Sequence, residues 1–262
     1  AETSELEWPL GDQVSKPMSE PVQALLADPD LAGPDMRAIV VVKDGRIIGE
    51  RYGEGFSAAT PLIGWSMTKT VNAALVGTVV GAGRLSVGQK SLLKQWSGDP
   101  RSQISLADLL SMSSGLAFNE DYGDVTDVTR MLYLEPDMAT FAASMPTEAG
   151  PGETFSYSSG TANILARIWQ NAVGDAGEAA RWPHEKLFGP LGMASATLEQ
   201  DARGTFTGSS YLYATAHDWA RFGQFLLQDG TWNGTQILPP GWVAMMREPN
   251  PVSDSGFGPE YT

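Results

Sequence analysis

At 262 residues, with 42% hydrophobic and 18% charged side chains, the chain is long enough to bury one large core or two interleaved ones and reads as globular. Its formal charge of -14 repels nucleic-acid phosphates and anionic membrane faces, which sets both aside as partners. There is no cysteine, and the two histidines, His184 and His217, stand in unrelated contexts, so a thiol nucleophile, a disulfide framework and a metallohydrolase are not expected and no metal or organic cofactor is called for.

Proline and acid dominate the first three dozen residues, which predicts a surface wrapping with one short helix over 22–27. The runs Ala38-Ile39-Val40-Val41-Val42 and Ile47-Ile48-Gly49-Glu50-Arg51-Tyr52 flank Asp44-Gly45 and give the clearest hairpin signal in the chain. Residues 65–80 carry small and apolar side chains without proline and stop at Gly81-Ala82-Gly83, so Ser66 is expected at a helix N-terminus. No apolar run is long enough to span a bilayer; the stretch from Val71 to Ala82 is broken by Asn72, Gly77, Thr78 and Gly81. Ser105 with Asp108 opens a short helix ending near Gly115, and 161–173 and 187–193 read as wholly or partly helical. Thr215 with Asp218 repeats the capping-box pattern before a helix over 219–227. Beyond Gly230 only loops and one turn over 240–247 are expected, with no second group of strands after the hairpin.

Ser66-Met67-Thr68-Lys69 places a hydroxyl and an amine three residues apart, on one face of a helix and within reach of each other. A serine hydroxyl becomes a nucleophile when a base takes its proton, and a lysine can be that base if desolvation or nearby positive charge lowers its pKa. The helix N-terminus adds N–H groups that favour developing negative charge. The pattern alone is weak, since Ser91-Leu92-Leu93-Lys94 matches it too; that copy follows Gly88 in a polar stretch and reads as an amphipathic surface turn. The second element is Tyr157, in Pro151-Gly152-Glu153-Thr154-Phe155-Ser156-Tyr157-Ser158-Ser159. A phenol beside a lysine ammonium has its anion favoured and can exchange protons near neutral pH; the alternative is a half-buried tyrosine holding a hydrogen bond. Asp121, Asp124 and Asp127 recur at every third position and read either as solvated loop acids or as an attractor of cations. Trp65 reads as a packing residue and His217 as a first-turn residue with no catalytic task.

The Ser-x-x-Lys helix, Leu109-Leu110-Ser111-Met112-Ser113-Ser114-Gly115-Leu116, the Pro-Gly-x-x-Phe-x-Tyr-Ser-Ser stretch, Leu191-Gly192-Met193 and Thr215-Ala216-His217-Asp218-Trp219-Ala220-Arg221-Phe222-Gly223 occur in a fixed order. In that order the chain resembles the serine β-lactamase and penicillin-binding-protein superfamily, in its class C-like part. Phe118-Asn119-Glu120-Asp121-Tyr122 and the Tyr-x-Ser form look most like the esterase and 6-aminohexanoate-dimer hydrolase branch. The resemblance implies acylation of Ser66, proton shuttling by Lys69 and Tyr157, and hydrolysis of a small ester or amide. It places Ser159, Tyr122 and Asn119 at the substrate. Ser159 stands where the family usually has asparagine, which favours ester or linear amide substrates over β-lactams. The rivals are a β-lactamase or D-alanyl carboxypeptidase, and a binding or sensor module that is acylated without turnover. Export to a periplasm or the medium is implied by the resemblance, with a cytoplasmic location left open by the residues.

The implied fold is α/β (α+β): an antiparallel sheet flanked by helices, plus a mostly helical domain, β-lactamase/transpeptidase-like. Residues 1–60 with 205–262 are expected to build the sheet domain and 61–204 the helical one, with the site between them. The family's third signature, Lys-Thr-Gly or His-x-Gly, does not occur in these residues. The sheet is therefore expected to be incomplete, and a companion C-terminal segment is expected to close it and to supply the second oxyanion-hole donor.

Overall fold

The computed structural model describes residues 5–253. Two short helices, α1 (Glu20–Ala27) and α2 (Pro29–Ala32), precede the antiparallel hairpin β1 (Ala38–Lys43) and β2 (Arg46–Tyr52). Asp44 and Gly45 lie at φ of 51° and 72°, the left-handed pair that a two-residue hairpin turn requires. A bulge shifts the register between Val41, opposite Gly49, and Val42, opposite Ile47. Gly49 is where α1 lands on β2: a Cβ there would sit 2.5 Å from Val22 Cγ1, so any larger residue would lift the helix off the strand.

Next come β3 (Leu62–Ile63), α3 (Met67–Gly81), α4 (Leu106–Leu110), α5 (Asp127–Tyr133), α6 (Met138–Ala143), α7 (Ser159–Val173) and α8 (Ala176–Pro183). A π-turn over His184–Phe188 leads into α9 (Gly189–Leu191), so 187–193 is only partly regular helix. The rest is β4 (Thr197–Leu198), β5 (Leu212–Ala214), α10 (Ala216–Leu227), β6 (Thr231–Trp232), β7 (Thr235–Gln236) and α11 (Trp242–Met246).

The expectation of no strands after the first hairpin is corrected by a three-stranded antiparallel sheet, β3-β5-β4, and by the hairpin β6–β7. Each of these strands is two or three residues long, too short for an alternating pattern to register. The α4 capping box forms as expected, with Ser105 Oγ accepting from Asp108 N at 3.2 Å and Asp108 Oδ2 accepting from Ser105 N at 2.8 Å. Its helix stops at Leu110, well before Gly115.

The main core is helical. α7 is buried along most of its length and packs on α3, α4, α6 and α8, around fully buried Trp96, Trp169, Leu75 and Ile164. Buried Asn72 ties α3 to α7, donating to Ala162 O at 2.9 Å and accepting from Trp169 Nε1 at 3.0 Å. The β1–β2 pair is held between α1, on β2, and α10, on β1. His217 pins α10 to β2 through Glu50 Oε2 at 2.7 Å and the Tyr52 hydroxyl at 3.3 Å.

At the start of α10, Thr215 Oγ1 accepts from Asp218 N at 3.3 Å, but the reciprocal half of the expected capping box is missing. The buried Asp218 carboxylate accepts from Ser195 N at 2.9 Å and pairs with Arg221 at 2.5 Å instead. Ion pairing with a buried guanidinium outcompetes a single backbone N–H for that carboxylate. Among the described residues, no helix is long and apolar enough to cross a membrane.

Candidate active site

β3 delivers the chain to Ser66 through a crowded passage. Gly64 N donates to Leu212 O of β5 at 2.8 Å, and a Cβ on Gly64 would lie 2.4 Å from the Trp219 ring, so only glycine fits. Trp65 follows at φ 43°, a left-handed conformation that costs a bulky residue energy and persists where its surroundings impose it. This turn leaves Ser66 exposed at the head of α3. The Trp65 indole is 45% exposed and meets Tyr211 edge-on at 6.2 Å, so it packs on one side only.

The tight turn changes the electrostatics expected at the helix start. Met67 N donates to Gly64 O at 3.0 Å and Thr68 N to Trp65 O at 2.9 Å, so these two first-turn N–H groups are already engaged. The Ser66 N–H has no acceptor among the described residues.

One turn along α3, Lys69 Nζ lies 3.2 Å from Ser66 Oγ, 3.1 Å from Ser159 Oγ and 3.1 Å from Ser209 O. It also lies 4.9 Å from the centroid of the Tyr157 ring. Burial lowers the Lys69 pKa to about 8, against the pull of the Glu120 carboxylate, which favours the ammonium form. The Ser209 carbonyl is itself fixed, because its N–H donates to buried Asn163 Oδ1 at 3.2 Å.

Tyr157 is half-buried, and its hydroxyl is hydrogen-bonded to Ser66. Of the two readings that the residues allow, the structure supports the half-buried phenol holding a hydrogen bond. Burial raises its pKa, the Glu120 charge adds to the rise, and the bond to Ser66 opposes both. The phenol is thus held protonated at neutral pH.

Ser159, fully buried as the first residue of α7, donates from its N–H to Glu120 Oε2 at 2.8 Å and from its hydroxyl to Glu120 Oε1. Burial raises the Glu120 pKa, opposed by those two bonds and by Lys69. The exposed Tyr122 reaches the same cluster, and its hydroxyl bears on the Glu120 carboxylate. Glu120 went unrecognised as a site residue in the sequence because it stands in a run of loop acids. The available signal was Phe118-x-Glu120-x-Tyr122, in which Phe118 packs against Gly160 on α7 and so delivers Glu120 to Ser159.

Asn119 is exposed; its Oδ1 accepts from Asp121 N at 2.9 Å and its N–H donates to Asp127 Oδ2 at 2.9 Å. Asp121 accepts from Gly123 N and Asp124 from Val125 N, so these acids shape the loop that carries Glu120 and Tyr122.

A cavity of about 770 Å³ opens beside Ser66, Lys69 and Tyr157, and Leu110, Met112, Phe155, Leu165, Trp242 and Met245 give it apolar walls. Ser159, Tyr122 and Asn119 are not among its walls. A hydroxyl, an amine of lowered pKa and a protonated phenol at the mouth of an apolar cavity form a set able to move a proton off and onto a nucleophile.

A family model described as "Beta-lactamase" matches residues 31–261. A 6-aminohexanoate-dimer hydrolase from Paenarthrobacter ureafaciens is 26% identical over 223 residues, covering 79% of this chain and 55% of the relative. A Bacillus anthracis structure, provisionally named a 6-aminohexanoate-dimer hydrolase, is similar at 25% identity and a TM-score of 0.68, covering 79% of this chain and 58% of that one. The octameric penicillin-binding protein homologue from Pyrococcus abyssi shares the fold at 19% identity and a TM-score of 0.66, covering 85% of this chain and 58% of that one. This chain spans a little over half the length of these relatives.

Proposed function

Because the chain belongs to the Beta-lactamase family, we propose that it is a serine hydrolase that forms an acyl-enzyme on Ser66 and releases the acid by hydrolysis. The observation that carries this reading is the meeting of Ser66 Oγ, the Lys69 amine at 3.2 Å and the Tyr157 hydroxyl at one cavity mouth. In its neutral form Lys69 takes the Ser66 proton as the oxygen attacks the substrate carbonyl. Tyr157, still protonated, gives its proton to the leaving oxygen or nitrogen and is restored from the Lys69 ammonium. Water then attacks the ester on Ser66, with Lys69 accepting its proton and handing it on to the departing Ser66 oxygen. The Ser66 N–H supports the developing oxyanion.

The substrate is a small ester or linear amide. The apolar cavity suits an uncharged acyl portion, and Ser159, which the resemblance places at the substrate, is bonded to Glu120 and Lys69. We propose further that a companion C-terminal segment completes the sheet beside β1 and brings the second oxyanion donor, since neither Lys-Thr-Gly nor His-x-Gly occurs in the 262 residues.

The test pairs a fluorophosphonate probe, read by intact mass, with turnover of a short p-nitrophenyl ester, nitrocefin and the 6-aminohexanoate dimer. The expected result is one adduct on Ser66, ester or linear-amide turnover, and loss of both in Ser66→Ala. A stable adduct with no turnover identifies an acylated sensor instead, and turnover retained in Ser66→Ala refutes the nucleophile.

A further inference from the structure

The hydrogen count around Lys69 assigns a role to Glu120. A charged Lys69 has three N–H bonds and three neighbours to receive them: Ser66 Oγ, Ser159 Oγ and Ser209 O. The neutral amine has two N–H bonds and one lone pair, so one of the three neighbours must face the lone pair. The Ser209 carbonyl can only accept, so it takes one N–H. Ser159 has a single hydroxyl hydrogen, directed at Glu120 Oε1, while its backbone N–H donates to Oε2 at 2.8 Å. An ionised carboxylate offers acceptors only, so that hydrogen is committed and a Ser159 lone pair is left to face Lys69. Both N–H bonds of the neutral amine are then assigned, and among the described residues Ser66 Oγ alone remains opposite its lone pair.

We infer that Glu120 is a positioning residue which, through the Ser159 hydroxyl, turns the lone pair of neutral Lys69 onto Ser66. The inference rests on the reading of Ser66 as nucleophile and Lys69 as base. Without the carboxylate, Ser159 is able to donate its hydrogen to the amine, and the amine then presents an N–H to Ser66, which is a base turned the wrong way. The other described groups near Lys69 do not replace this control: Tyr157 offers its ring face, and Tyr122 bears on the Glu120 carboxylate.

The test uses Glu120→Gln, Ser159→Ala and the double variant, with Ser66→Ala as the blank. Turnover of p-nitrophenyl butyrate and the rate of fluorophosphonate labelling of Ser66 are followed from about pH 6 to about pH 10, with kcat and KM resolved. Glu120→Gln keeps the shape but puts an amide N–H₂ where an acceptor stood. It is expected to lower the high-pH plateau of kcat by roughly 10- to 100-fold, with little change in KM for this uncharged ester. It should also move the acid limb below about 8, because the charge that favours the ammonium is gone. Ser159→Ala keeps that charge, so the plateau falls while the limb stays near its wild-type position. The double variant should be no slower than Glu120→Gln alone, since both changes cut the same link.

A general structural fault would lower the plateau without displacing the limb, and that result overturns the proposal. So do losses that multiply in the double variant, and a Glu120→Gln plateau equal to wild type. If Ser66→Ala is inert while Glu120→Gln behaves as wild type, only the role of Glu120 falls. If Ser66→Ala turns over normally, the nucleophile assignment falls first.

Discussion

Lys69 sits between two opposed influences: burial strips water from its ammonium, and Glu120 lends that ammonium support. Burial dominates, and the pKa comes down to about 8. The amine serves as a base only when neutral, so ester turnover should climb with pH and level off above about 8. A profile that is flat or falling through this range would remove Lys69 from the role. Lys69→Arg provides the complementary test, since a guanidinium stays charged throughout and cannot accept the proton; kcat should fall by about 100-fold or more. Ser66 and Lys69 were legible because the ordered motifs picked out their helix from the rival Ser91 and Lys94, and three residues of helix then fix their proximity. Glu120 was not, because its partner Ser159 lies 39 positions away, and only folding reveals which loop acid meets it. The sign of the Tyr157 shift was also hidden, since burial and a carboxylate from another loop outweigh the bond to Ser66.

At the scale of elements, α3 carries Ser66 and Lys69 and α7 carries Ser159, so the site is only as well defined as the contact between these helices. Asn72 is their buried polar tie. Asn72→Leu keeps roughly the same volume but strands the buried Trp169 Nε1–H, while the Ala162 carbonyl keeps its place in the α7 ladder, at a cost of about 1–3 kcal/mol. Urea unfolding should show a lower midpoint with an unchanged slope, and an unaltered midpoint would mean that the tie carries no stability. Element legibility followed length and turn chemistry. The first hairpin could be read because six- and seven-residue strands flank Asp44-Gly45. β6–β7 has an equally good turn pair in Asn233-Gly234, at φ of 46° and 76°, but its strands are two residues each and show no alternation. The α10 capping pattern located the helix start at Thr215, but only half of the box forms, since Arg221 lies one turn on and takes the Asp218 carboxylate.

At the largest scale, among the described residues the main core is helical, whereas the first sheet has two strands and leaves Ile39, Val40, Val41 and Val42 of β1 only half-buried. The α/β class followed from the resemblance that the ordered motifs carry, and the helical bulk from the cap and helix signals between Ser66 and Leu227. The small sheet β3-β5-β4 was not, because it joins segments far apart in sequence. The proposed companion segment predicts that, in the source cell, this sequence is found within a longer polypeptide or in a stable pair with a second one. Native mass spectrometry showing a lone 28.0 kDa species with full ester turnover would reject that pairing.

One long-range clamp bears on how the chain is made. Trp8 donates to His217 O at 3.3 Å, and Arg221 holds Pro9 O at 2.9 Å and the Asp12 carboxylate at 2.6 Å, so residues 8–12 dock on a helix more than two hundred positions later. At ribosomal speeds that wait lasts roughly 10–40 s, during which the Trp8 indole has no berth and stays in water. The early segment is therefore fastened last, closing over a helical core that has already been translated.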